Sequence, residues 1–207
     1  MIQPIEAVKL KGQAVFLEPL KKEDAEELAL AVQDGELYDL FTTFVPKPEK
    51  AKDYIQEALK QRDETGSLPF AIRDVKTKKF IGSTRFFNWV ANDFRVEIGH
   101  TWLKKSYQKG IANTEAKFLL LSHAFEQLKM IGVEFRTDFL NFPSRQAIEK
   151  LGAKWVGVFL RHRVMPNGRV RDTVVYCILD HEWPGVKQNL NFRLQNLRIR
   201  AKDETKK

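Results

Sequence analysis

With one cysteine in the chain, Cys177, no intramolecular disulfide can form and no CxxC metal motif exists. That residue lies in the apolar run Val174 to Leu179, which points to a buried strand position. Long apolar runs are missing as well. Phe118 to Leu121 is typical in length, whereas a spanning helix needs about 20 consecutive apolar residues. The opening stretch, Met1 to Val15, interleaves Gln3, Glu6, Lys9, Lys11 and Gln13 with its apolar residues, unlike a secretion signal. No membrane segment and a cytoplasmic location are therefore expected. The four histidines, His100, His123, His162 and His181, show no HExxH or similar spacing, so no metal site is expected. Fixed-period repeats, low-complexity stretches and RNP1, KH or zinc patterns are all absent.

What is there is the balance of a globular domain: 207 residues, 43% apolar and 30% charged. The net charge of +8 favours an anionic partner, be it a nucleotide-like cofactor, an acidic protein surface or RNA. Part of that charge clusters at the end, in Arg193, Arg198, Arg200, Lys202, Lys206 and Lys207, and reads as a solvated basic tail.

Hydrophobic spacing divides the chain into elements. Val15 to Glu18 predicts a strand stopped by Pro19, and Lys22 to Val32 a helix with Ala25, Leu28, Ala29 and Val32 on one face. An aromatic loop or short helix follows over Glu36 to Pro46, then a helix over Lys50 to Arg62, ended by Gly66. Phe70 to Asp74, Phe80 to Trp89 and Phe94 to Leu103 form an antiparallel meander. Thr114 to Lys129 is the clearest helix, with Ala116, Leu120, Ala124 and Leu128 flanked by Leu121 and Phe125 on the next ridge. A strand over Val133 to Phe139 and a helix over Phe142 to Leu151, closed by Gly152, come next. Trp155 to Val164 and Val170 to Leu179 close the domain as a hairpin through Asn167-Gly168. This order predicts an α+β fold, a mixed sheet with helices on both faces. The domain is expected over residues 1–184, followed by a C-terminal segment, 185–207. There Val186, Leu190, Leu194 and Leu197 are spaced for an amphipathic helix that docks on the domain or on a partner.

The stretch with chemistry runs from Glu97 through Trp102 and Leu103 to Gln108, Lys109, Gly110, Ile111, Ala112 and Asn113, leading into the strong helix. A strand that ends in a small-residue turn and restarts as a helix gathers unpaired N–H groups and the positive end of the helix dipole, which suits an anion. Gly110 and Ala112 leave room for a phosphate, and Gln108 and Lys109 add donors. The alternative is an ordinary turn in which Gly110 supplies a positive φ.

Here the chain resembles the GNAT superfamily of N-acetyltransferases, whose phosphate loop reads Gln/Arg-x-x-Gly-x-Gly/Ala at the start of the central helix. In one register Gly110 and Ala112 match, with Tyr107 first; in the other Gln108 matches, with Ile111 in the Gly position. Downstream, Asn141-Phe142-Pro143-Ser144-Arg145 with Leu151-Gly152 looks like the Asn-x-x-Ser element of the branch that holds the RimJ and RimL ribosomal-protein N-terminal acetyltransferases. Asn167-Gly168, Arg171-Asp172, Tyr176 and Glu182-Trp183-Pro184 resemble that branch's last hairpin and exit. The resemblance covers roughly residues 13–184.

It implies a mostly antiparallel sheet with a V-shaped split between the strands ending near Leu103 and Phe139, and acetyl-coenzyme A as cosubstrate. The pyrophosphate would sit on Gln108 to Asn113, and the pantetheine arm on the backbone near Trp102 and Leu103, with Asn141 and Ser144 beside it. An amine would attack the thioester directly. Ser144 is the candidate acid for the departing thiolate, or else part of the cap that Asn141 opens. Glu97 is the candidate base acting through water, or a structural carboxylate. His162, between Arg161 and Arg163, is near where the acceptor should enter, as a substrate contact or a surface residue. The acceptor would be a protein N-terminus, such as that of a ribosomal protein, or a small amine, and the protein a monomer or homodimer. Two rival readings remain open at this point: an inactive coenzyme A-binding regulator, and a ribosome- or RNA-associated module.

Overall fold

The computed structural model describes residues 6–204, so Met1 to Ile5 and Thr205 to Lys207 lie outside the described residues. Eight strands form one sheet: β1 (Leu10–Lys11), β2 (Val15–Pro19), β3 (Leu68–Asp74), β4 (Phe80–Val90), β5 (Arg95–Leu103), β6 (Gly132–Asp138), β7 (Lys154–Val164) and β8 (Val170–Leu179). Their order is β1-β2-β3-β4-β5-β6-β8-β7, and every neighbouring pair is antiparallel except β5 with β6. The α+β class with a mixed, mostly antiparallel sheet is therefore as expected; the short edge strand β1 is an addition.

Five helices cover the sheet: α1 (Ala25–Gln33), α2 (Ala51–Thr65), α3 (Ile111–Ser122), α4 (Phe142–Glu149) and α5 (Trp183–Glu204). One face carries α1 and α2, whose Leu28, Val32, Ile55 and Ala58 pack with Ala71, Phe80 and Trp102. The other carries α3, α4 and α5 over Phe70, Phe86, Ile98, Phe135 and Tyr176. Cover on both faces explains the unbroken burial of Leu68 to Ile72 and Phe80 to Phe86, where a half-exposed strand would alternate. Gly66 ends α2 at φ 70, a left-handed conformation that favours glycine.

Two elements differ from expectation. The helix spaced over Thr114 to Lys129 starts at Ile111 and gives way to a π-turn over His123–Gln127, in which Leu128 N–H donates to His123 O at 3.0 Å. A stripe repeating every four residues drifts around a 3.6-residue helix, and the wider turn brings Ala124 and Phe125 back onto the core. The final hairpin turns on three residues: Gly168 N–H donates to Met165 O and only Gly168 has a positive φ. Pro166 pre-sets the first turn position, so Asn167 does not enter the left-handed region.

The C-terminal helix begins at Trp183 and lies on the domain, burying Trp183, Val186, Leu190 and Leu194. The basic end is only partly solvated, because Arg198 reaches Glu115 of α3 at 2.7 Å. Glu115 is 2% exposed and also accepts the N–H groups of Ala14 at 2.6 Å and Val15 at 2.8 Å. One carboxylate thus ties the entry to β2, the central helix and α5.

Replacing Glu115 by Ala leaves two amides and a guanidinium without their acceptor. The Glu115→Ala protein should lose about 3 kcal/mol of stability in denaturant melts, the scale of breaking a buried ion pair; a loss below about 0.5 kcal/mol, as at a plain surface site, would contradict the clasp.

Candidate active site

Strands β5 and β6 pair over only three positions, Arg95 with Gly132, Val96 with Val133 and Glu97 with Glu134. Beyond Glu97 they part, so the edge of β5 from Ile98 to Leu103 finds no strand partner on that side among the described residues. The cause is local. Arg85 of β4 faces Gly99 and Ser83 faces Trp102, so Thr84 alone opposes both His100 and Thr101, which is a β-bulge. His100 takes φ 48 to make it. A Cβ on Gly99 would come within 2.7 Å of the Phe87 ring, so that position needs glycine. The bulge also leaves Gly99 and His100 on the face that carries α1 and α2, together with Glu97.

After Leu103 the chain makes a turn at Lys105–Tyr107 and enters α3 through Gly110, whose side-chain-free N-cap leaves the first-turn N–H groups without a capping acceptor. The positive φ of this turn falls on Lys109 (φ 61), while Gly110 is extended at φ −99. The ordinary-turn explanation of Gly110 therefore fails. A Cβ at Gly110 would meet only Tyr107 O, at 3.8 Å, so the chain's own packing does not demand glycine there. A cradle open to an approaching anion does fit. Gln108, Lys109 and Gly110 are all exposed, and Gln108 Nε2 donates to Leu103 O at 2.9 Å. Ile111 and Asn113 are half-buried, and Ala112 is buried in the core. Trp102 packs its ring into the α1/α2 core beside Phe80, which leaves its backbone as what it can offer.

Glu97 is 3% exposed at the vertex of the split. Its Oε2 accepts from Asn88 Nδ2 at 2.8 Å, and Arg136 stands 3.3 Å away. Burial outweighs both partners and pushes the carboxyl up to about 7. Ser144 lies on α4, which follows β6 and packs Ile148 into the core of the opposite face. The cap there is Asn141 Oδ1 accepting from the backbone N–H of Ser144 at 3.1 Å, so the Ser144 hydroxyl is not what holds the helix start. No contact among the described residues joins Ser144 to Glu97.

Sequence reasoning passed over four residues that the fold assembles around the split. Lys117 is 5% exposed, with Nζ 2.5 Å from Thr101 Oγ1 and 3.4 Å from Thr84 Oγ1, and no carboxylate partner among the described residues. Burial pushes its ammonium down to about 7. A signal existed, since Lys117 stands four and eight residues before Leu121 and Phe125 on the apolar ridge. On the α2 face, Arg85, His100 and Arg163 line a cleft of about 190 Å³ with Phe44, Tyr54 and Gln61. They come from three strands, and nothing in their spacing announced the meeting. His162 is exposed and rests against the Phe159 ring, 5.0 Å between centroids.

Residues 14–154 match the family model described as "Acetyltransferase (GNAT) domain". Two proteins of Bacillus subtilis (strain 168) are each 28% identical to the chain over 182 residues. One, named "Probable N-acetyltransferase YjcK", aligns over 83% of this chain and 97% of its own. The other, named "Putative ribosomal N-acetyltransferase YdaF", aligns over 85% and 97%. Among solved structures, a GCN5-related N-acetyltransferase from Brucella melitensis is 29% identical, covers 93% of this chain and 87% of its own, and superposes with a TM-score of 0.82.

The buried lysine has a pH signature. Its native value lies below the ordinary 10.5, so the unfolded chain binds a proton more readily. Lys117 therefore destabilises most at and below about pH 7, and the penalty fades as pH rises towards 10. Lys117→Met should melt higher than the parent at pH 7, with the difference shrinking or reversing by pH 10; a constant difference in paired thermal melts would show that the ammonium is not desolvated.

Proposed function

The chain belongs to the GNAT acetyltransferase family, and from that membership we propose that it transfers the acetyl group of acetyl-coenzyme A to a primary amine by direct attack. Proteins of this family are acetyl-coenzyme A-dependent acyltransferases, and so is this chain. The observation that carries the proposal is the parting of β5 from β6, with a buried carboxyl at its vertex and uncapped helix amides at its open end. When bound, the cosubstrate supplies an acyl thioester.

The residues divide the work as follows. The N–H groups of Ile111, Ala112 and Asn113 hold the pyrophosphate, Gly110 gives it room, and Lys109 adds positive charge. The unpaired edge of β5, with the backbone of Trp102, receives the pantetheine arm, while Gln108 steadies the strand end through Leu103 O. Glu97 takes the proton of the incoming amine, directly or through water, and a value near 7 suits a base at neutral pH. Ser144 Oγ gives a proton to the departing sulfur, and Asn141 holds the helix that presents it. The acceptor is a protein N-terminus or a small amine, and the name of the YdaF relative favours a ribosomal protein among the former. Among the described residues no helix is long and apolar enough to cross a membrane.

Coenzyme A at 100 times its Kd should stabilise the protein by about 2.7 kcal/mol, read as a rise in Tm. Gly110→Val should fold normally yet lose most of that rise, since its side chain would fill the cradle. Equal affinity in the variant would remove the phosphate-loop assignment.

Kinetics separate the two catalytic candidates. The wild-type kcat/KM should climb with pH through about 7 as Glu97 ionises, and Glu97→Gln should lose that limb. Ser144→Ala should lower kcat about 10²-fold or more with Tm and coenzyme A affinity unchanged, because Asn141 keeps the cap. An unchanged kcat in that variant would return Ser144 to a structural role.

A further inference from the structure

The cleft beside Glu97 contains more positive charge than the protein neutralises. Around the cleft three other arginines are matched: Arg95 with Glu134, Arg136 with Glu97 and Glu134, Arg169 with Asp138. Arg85, Arg163 and Arg171 have no carboxylate within 4 Å among the described residues. Arg85 is 3% exposed and Arg171 7%. A guanidinium buried without a counter-ion costs several kcal/mol unless something pairs with it.

Their arrangement adds to that cost. Arg163 and Arg171 stand directly opposite each other on β7 and β8, where like charges repel. Both guanidinium groups lie by the ring of Phe44, at 5.7 and 5.8 Å from its centroid. Arg85 uses Nη1 on Gln61 Oε1 at 2.6 Å and leaves Nε, fully buried, with no acceptor. Glu57 also lines the cleft, but its carboxylate accepts from Gln61 Nε2 at 2.8 Å and forms no ion pair with Arg85. His100, between them, registers the field: burial with Arg85, Arg163 and Arg171 pushes it down to about 3, so it stays neutral.

We propose that the acceptor amine carries an anionic group, a carboxylate or a phosphate, a few bonds from its nitrogen, and that Arg85 and Arg163 hold this group in the cleft while the nitrogen faces Glu97. This rests on the acetyl-transfer reading above and narrows its acceptor. The β5 bulge places Glu97 and His100 on one face, so a base and an anion subsite adjoin. A cleft of about 190 Å³ holds a group of amino-acid size. The same charge repels polyamines and aminoglycosides, which carry further cations next to the reacting amine.

The test uses the full chain, acetyl-coenzyme A and matched acceptors differing in one charge, followed by thiol release. Free amino acids are compared with their amides, O-phosphoethanolamine with ethanolamine, and short peptide amides starting with Asp or Glu with those starting with Asn or Gln. The first two pairs place the anion on a small molecule and the third on a protein N-terminus. In at least one pair the anionic member should have a kcat/KM about tenfold higher or more, carried mainly by KM, as one hydrogen bond to a charged group contributes. Arg163→Met, at an exposed position where folding is not at risk, should collapse that ratio, and Arg85→Met should collapse it further. Neutral members or spermidine preferred throughout, or a ratio unmoved in Arg163→Met, would overturn the inference. If no amine turns over, the acetyl-transfer reading fails separately. Calorimetry on the coenzyme A-saturated protein then decides the subsite: O-phosphoethanolamine binding that Arg163→Met abolishes sustains it, and no binding to either protein overturns it.

Discussion

Everything that distinguishes this sheet follows from the short parallel contact between β5 and β6. Three residue pairs hold the strands together at Glu97 and Glu134, and the bulge at His100 then turns β5 away. A sheet interior normally pairs its backbone groups, so an unpaired edge in mid-sheet needs another source of hydrogen bonds. The chain tolerates the opening because one core under α3, α4 and α5 runs across both halves of the sheet, while the α1/α2 core and the Arg73 network with Glu18, Asp24 and Glu27 secure the first half from the other face.

The same bulge sorts the chemistry by face. Ile98 and Thr101 point to α3, where Thr101 meets the buried ammonium of Lys117. Glu97, Gly99 and His100 point the other way, towards the cleft. The split therefore has a carboxyl with a raised value on one side and an ammonium with a lowered value on the other, each displaced mainly by burial. Both titrate near neutrality, where proton movement is easiest.

Charge is distributed with similar economy. The excess of basic residues that favoured an anionic partner resolves into three places. Lys109 stands at the turn into α3, Arg85, Arg163 and Arg171 surround the cleft, and Arg198 clasps Glu115. Only part of it is a solvated tail.

The sequence by itself determined the elements and their order. Spacing of apolar residues located each helix and each strand apart from two-residue β1, because burial of one face acts on neighbours three, four or two positions apart. Gly110 and its flanking residues were legible as the turn into a helix N-terminus for the same local reason, as was Asn141 as a cap. What only the tertiary structure decided depends on contacts far apart in the chain. That Gly110 is not needed for its backbone angle, that Ser144 does not itself make the cap, and that the helix widens after Ser122 required coordinates. Arg85, His100 and Arg163 come from β4, β5 and β7, and Lys117 meets Thr101 across the sheet. Their burial, and hence their displaced ionisation and missing counter-ions, arises from packing between strands that no local spacing encodes.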